Sequence, residues 1–95
     1  MKIRFYTDPE TGEPHIRNHG VLEDEVEEVF RSGLGQDRVS REGSRMLMGQ
    51  TDAGRYLRII YSPDPEPDSV FVITSYELRG KSLAGFKRRQ RGRKR

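Results

Sequence analysis

Two histidines, His15 and His19, fall in the segment PHIRNHG and are the side chains here that titrate near neutral pH. Four arginines, Arg45, Arg55, Arg58 and Arg79, supply planar guanidinium forks that match phosphate oxygens. Tyr56 and Tyr76 supply rings that can stack on a base and hydroxyls that can give up a proton. Cleaving a phosphodiester beside a 2′-hydroxyl without a metal needs these kinds of group. A base takes the hydroxyl proton, cations stabilise the crowded phosphorane, and an acid protonates the leaving oxygen. Strand alternation sets Tyr56 and Arg58 on one face, opposite Leu57 and Ile59. With helices on the Leu57 side, Tyr56 and Arg58 are expected on the uncovered side of a sheet, where Tyr76 can join them.

Each residue also has a plainer role. His19 precedes Gly20 at an expected helix end, where an imidazole can bond the last carbonyls. His15 follows Pro14 in a polar loop and can simply be exposed. The tyrosines can be amphipathic strand residues, with rings packed and hydroxyls in water. Arg45 and Arg58 can pair with acids across strands. No metal site is expected, because the two histidines lack a third ligand and the EDEVEE carboxylates face solvent on a helix. No cofactor is expected either.

The chain has 95 residues, 32% apolar and 35% charged, which suits one domain with a small core. The absence of cysteine excludes disulfides, thiolate zinc sites and a cysteine nucleophile. No apolar run approaches the about 20 residues of a membrane span. MKIRFYTDPE reaches a charge too soon for a signal peptide, so a cytoplasmic protein without membrane contact is expected. The net charge of +3 conceals an asymmetry: residues 1–78 carry nine Lys and Arg against fifteen Asp and Glu, whereas residues 79–95 carry nine cations and no acid. That basic end is a nucleic-acid footprint, with Lys81, Lys87, Arg88, Arg89, Arg91, Arg93, Lys94 and Arg95 as expected contacts alongside Tyr56. An acidic protein partner is the other reading of it.

The elements that must position these groups are built around Arg55–Tyr76. Two β-branched and aromatic runs, Leu57–Tyr61 and Val70–Ile73, flank the proline-rich acidic loop SPDPEPDS, as in an antiparallel ribbon. Leu57, Ile59, Phe71 and Ile73 are expected to hold the helices. Met1–Tyr6 reads as a first strand, and a brief helical turn is expected over His15–Asn18. Val21, Val26, Val29 and Phe30 share a helical face opposite the acids, and SGLG stops that helix. Residues 35–41 and 44–51 read as two more strands turning at Glu42-Gly43, with Met46 and Met48 as core filler. A short helix from about Lys81 docks Leu83 and Phe86 onto the sheet, and RRQRGRKR is expected to fray. The expected fold is α+β: an antiparallel four- to five-stranded sheet, N-terminal helices on one face and a short C-terminal helix. The domain spans 1–86, and 87–95 form a basic, flexible tail.

HGVLEDEVEEVF (19–30), MGQTDAGRYLRIIY (48–61) and VFVITSYELRGK (70–81), with an arginine in the third strand, follow one another in order. In this they resemble the BrnT-type toxins, which are similar in fold to the RelE/ParE toxins. The resemblance covers about residues 5–88. It implies a RelE/BrnT-like sheet, RNA as the target, metal-independent endoribonuclease activity and a cognate antitoxin protein as partner. His19, Arg45, Arg58, Tyr76 and Arg79 are then the candidate catalytic residues. The last strand departs from the family: where the toxins run Ile-Ser-Ala-Arg, this chain has Ile73-Thr74-Ser75-Tyr76, and its next arginine is Arg79. The alternative is a non-catalytic nucleic-acid- or ribosome-binding module with a toxin-like fold.

Overall fold

A computed structural model describes residues 1–40 and 42–92. Arg41, at the end of the expected second strand, and Arg93, Lys94 and Arg95 lie outside the described residues. The elements run β1 (Lys2–Phe5), a 3-10 turn (His15–His19), α1 (Glu23–Ser32), β2 (Gln36–Val39), β3 (Arg45–Gln50), β4 (Tyr56–Pro63), β5 (Ser69–Glu77) and α2 (Gly80–Gly92). The strands form one five-stranded sheet in the order β1-β5-β4-β3-β2. The fold is therefore α+β, with an N-terminal helix and a C-terminal helix, and β4 is the central strand.

Local chemistry explains most boundaries. Glu23, Asp24 and Glu25 occupy the first turn of α1 and Arg31 the last, each favourable to the helix dipole. The Glu25 carboxylate accepts the Leu22 N–H at 3.0 Å, satisfying one donor that the first turn leaves free. Gly33, in the left-handed region, ends the helix. Val26 and Val29 face the sheet, and Gly49 is what lets them approach. A Cβ built at Gly49 would lie 2.6 Å from a Val29 methyl. The β2–β3 hairpin turns through Glu42-Gly43: Ser40 accepts the Gly43 N–H at 3.2 Å and donates to the Ser44 carbonyl at 2.7 Å.

β4 feeds two cores. Leu57, Ile59 and Tyr61 join Ile16, Val21, Val26, Val29, Leu47 and Val72 under α1 and the 3-10 turn. The alternate residues face the other way, and there Tyr56 packs with Met46, Met48, Leu78, Leu83 and Phe86. Leu83 and Phe86 thus dock on the sheet as expected, and they cover the face on which Tyr56 and Arg58 lie. The expectation that this face is open is corrected. Its apolar stretch of Met46, Met48 and Tyr56 needs burial, and α2 provides it.

Three further expectations are corrected. The sheet is mixed, because β1 runs parallel to β5, with Lys2 opposite Ser69 and Phe5 opposite Val72. Charge fixes this direction. The Arg4 guanidinium forks onto Asp64 at 3.1 and 2.7 Å, and the terminal ammonium lies 3.3 Å from Asp68. Both acids belong to the β4–β5 loop, and reversing β1 would carry Met1 away from it. The second correction concerns β5. Ile60 pairs with Thr74 but Tyr61 pairs with Val72, so Ile73 is the extra residue of a bulge and is 36% exposed. The bulge shifts the inward phase from Val70 and Val72 to Ser75. Phe71 instead lies beneath the Arg4 guanidinium, 4.9 Å from ring to carbon. Finally, α2 continues to Gly92, so Lys87, Arg88, Arg89 and Arg91 ride on a helix rather than a frayed tail.

Among the described residues no helix is long and apolar enough to cross a membrane. Phe86, 1% exposed, is the main anchor of α2. Phe86→Ala should cost about 3–5 kcal/mol, read as a drop in the urea midpoint with loss of helical circular dichroism. The β1 clamp has a pH signature. Arg4 first, then the Ser69 hydroxyl, hold the Asp64 carboxyl down at about 2. A depressed carboxyl stabilises the fold above its ordinary value and loses that contribution as pH falls towards 2. In Arg4→Gln, NMR titration should show the Asp64 midpoint moving back up towards 3.8.

Candidate nucleic-acid interface

β1 pairs only with the first half of β5, Ser69–Val72. Beyond it the 3-10 turn packs against the uncovered edge of β5. Gly20, left-handed at φ 73°, ends that turn and directs the chain into α1. Arg55 fixes the junction: its Nη1 donates to the Gly20 carbonyl at 2.8 Å and to the Glu25 carboxylate at 2.9 and 3.1 Å. His19 is thereby held against Tyr76.

The result is a run of rings. Tyr6 and His15 are 6.0 Å apart between centroids, His15 and His19 5.3 Å, and His19 and Tyr76 5.8 Å. The Arg58 guanidinium carbon lies 5.7 Å from the Tyr76 ring centre at the end of the series. Asp8 secures the other end. Its carboxylate accepts the Glu10 N–H at 2.8 Å and the Asn18 amide at 2.8 Å, and lies 3.5 Å from His15 Nδ1. These bonds, the Glu10 N–H foremost and then Asn18, keep the Asp8 carboxyl below its usual range. A shallow depression lined by His19, Tyr76, Glu77 and Arg79 opens beside the last ring.

Arg58 is the unusual member. It is partly buried between β5 and α2, donating from Nη1 to the Tyr76 hydroxyl at 3.4 Å and from Nη2 to Ser82 Oγ at 3.0 Å. Its Nε is buried with no partner among the described residues. Arg4, Arg45 and Arg55 have acids, Asp64, Asp37 and Glu25. Arg58 has only neutral oxygens. A partly buried cation that meets only hydroxyls among the described residues retains most of its appetite for an anion.

The structure gathers His19, Arg58, Tyr76 and Arg79 and leaves Arg45 elsewhere. Arg45 lies on the α1 side of the sheet, 3.3 Å from Asp37, which also accepts the Tyr61 hydroxyl at 2.6 Å. Its guanidinium is pushed up by Tyr61 and then Asp37, and burial foremost raises the Tyr61 phenol. Arg79, 83% exposed, lies 3.7 Å from Glu77, which Arg55 shares at 3.5 Å. Tyr56 is not an open stacking platform: Phe86 sits edge-on at 5.7 Å and Lys87 Nζ lies 5.1 Å over its ring. Arg89 donates to Gln36 at 2.6 Å, leaving Lys81, Arg88 and Arg91 exposed along α2. Sequence reasoning missed Tyr6, Asp8 and Ser82. The Thr7-Asp8-Pro9 turn was a usable signal for Asp8, since such an Asp bonds backbone two residues on. Nothing local marks Ser82.

In chemical terms the group holds two imidazoles, a phenol beside an unpaired guanidinium, and a second guanidinium at the rim. Among the described residues no three His, Cys, Asp or Glu are gathered as metal ligands would be. If Arg58 is uncompensated within the fold, Arg58→Met should raise stability by about 1 kcal/mol, seen as a higher Tm. A loss of about 3–5 kcal/mol would instead reveal a buried ion pair. Compared with known proteins, the chain matches no protein-family model, no curated protein and no solved structure.

Proposed function

We propose that this chain is a BrnT-like toxin that binds RNA and cleaves it without a metal, with a cognate antitoxin protein as its partner. The observation that carries the reading is the partly buried Arg58 guanidinium, short of a carboxylate and set against Tyr76 beside His19. A phosphodiester supplies the missing anion. Arg58 and Arg79 take its oxygens, and exposed Lys81, Arg88 and Arg91 follow the flanking backbone along α2. His19 takes the 2′-hydroxyl proton, the 2′-oxygen attacks phosphorus, and the 5′-oxygen leaves with a proton from Tyr76. Asp8 holds His15, which in turn backs His19. The products are a 2′,3′-cyclic phosphate and a free 5′-hydroxyl.

One observation favours a second reading, a nucleic-acid- or ribosome-binding module without catalysis. Tyr76 occupies the strand position where the toxins have arginine, and Arg79 is tied to Glu77. Incubating the protein with single-stranded RNA in EDTA separates the two. Cleavage to cyclic-phosphate ends, falling at least about 100-fold in His19→Ala, supports the toxin. Binding without cleavage supports the module. In either case the Arg88→Gln/Arg91→Gln double variant should lower the salt slope of log K by about 1.4, at about 0.7 for each phosphate no longer neutralised. No RNA binding at low salt would contradict both.

A further inference from the structure

The outer edge of β2 carries a second set of unmet demands, far from the ring series in sequence and independent of the reading above. β2 is the last strand of the sheet. In the antiparallel β2–β3 pair, the Ser40–Ser44 hydrogen bond sets the alternation, so Arg38 and Gln36 turn their backbone groups towards β3. Asp37 and Val39 therefore turn their N–H and C=O groups outward, and among the described residues nothing pairs with them. Only its shortness and the charges of Asp37 and Arg38 guard this edge: β2 has no proline, no lysine and no bulge. The two most exposed large apolar side chains of the described chain flank it, Leu34 at 75% and Val39 at 64%. A groove lined by Gly35, Gln36, Asp37, Arg38 and Arg89 runs alongside.

We propose that this edge is a docking site for an extended strand of a partner protein, added antiparallel to β2, with apolar ends and acidic residues on the α2 side. The side chains define that partner. Arg38 and Gln36 share the α2 face with Met46 and Met48, and Arg89 reaches the same groove, so acids belong there. Asp37, on the α1 face, calls for a cation opposite. Leu34 and Val39 call for apolar residues at the two ends.

A second copy of this chain does not satisfy those demands. A two-fold axis perpendicular to the sheet keeps every residue on its own face, so the pairing must centre on one residue. The two registers that overlap the strand fully centre on Asp37 or Arg38 and set like charges directly opposite, which is destabilising. A heterologous strand avoids this and gains main-chain hydrogen bonds along the groove.

The test uses the full chain, labelled with nitrogen-15, and an acetylated, amidated VEKEVL peptide titrated to millimolar concentration. The proposal expects amide shifts concentrated in residues 34–40 and about tenfold slower hydrogen exchange at Asp37 and Val39. Val39→Pro should abolish the shifts and the slowed exchange at Asp37 while leaving the β2–β3 ladder intact, since the Val39 N–H points outward. Arg38→Glu should transfer the preference to the peptide VKKEVL, which sets a lysine opposite position 38 and keeps the lysine opposite Asp37 and the acid beside Arg89, a readout that misfolding would not produce. Absence of shifts in β2, shifts confined to α2 or the His19 region, or self-association through β2 without peptide would each overturn the proposal.

Discussion

Arg55 is the joint on which the arrangement depends. One nitrogen of its guanidinium holds both the Gly20 carbonyl and the Glu25 carboxylate, tying the end of the 3-10 turn and the start of α1 to the entry of β4. The same Glu25 accepts the Leu22 N–H, so helix capping and tertiary anchoring share one carboxylate. Charge-assisted bonds of this kind are shorter and stronger than neutral ones, and both partners of this one are largely shielded from water. Without it the turn that carries His19 would be held by the buried Ile16 and the Arg17–Glu23 pair.

The second constraint is a core that must serve two faces of one sheet from few apolar residues. β4 meets it by alternation, sending Leu57, Ile59 and Tyr61 to α1 and Tyr56 towards Phe86. Arg58 sits in that alternation where an apolar residue would pack better. Ser82 and Tyr76 supply hydroxyls but no charge, so the fold tolerates the guanidinium rather than exploiting it. Positions that weaken a fold locally are where function is commonly found. This contrast separates Arg58 from Arg4, Arg45 and Arg55, whose carboxylates explain them structurally.

The parts legible in the sequence were those set by local periodicity. Val21, Val26 and Val29 marked the inner face of α1, and the paired runs of β4 and β5 marked the central ribbon. Tyr56 and Arg58 were placed correctly on a common face, but its covering by α2 was not visible. Three glycines, Gly80, Gly85 and Gly92, make α2 poor on propensity, and docking of Leu83 and Phe86 compensates. The direction of β1 was hidden because parallel and antiparallel strands share the same alternation. It is decided by Arg4 and Asp64, 60 residues apart. The bulge at Ile73 was hidden for a similar reason: an unbroken apolar run gives no hint of where its phase slips. Among the candidate site residues, His19, Tyr76 and Arg79 meet through tertiary contacts, whereas Arg45 is absorbed by Asp37.

Everything proposed for RNA depends on Arg58 being an anion site. Its Nε–H is buried without a partner among the described residues, so nitrogen-15 NMR of the arginine side chains, with a short single-stranded RNA added, reads it directly. An anion-seeking Arg58 should give a downfield shift and slowed exchange at its Nε–H, together with smaller changes at Arg79. An unchanged Arg58 signal, while the arginines of α2 respond to the same RNA, would contradict that role.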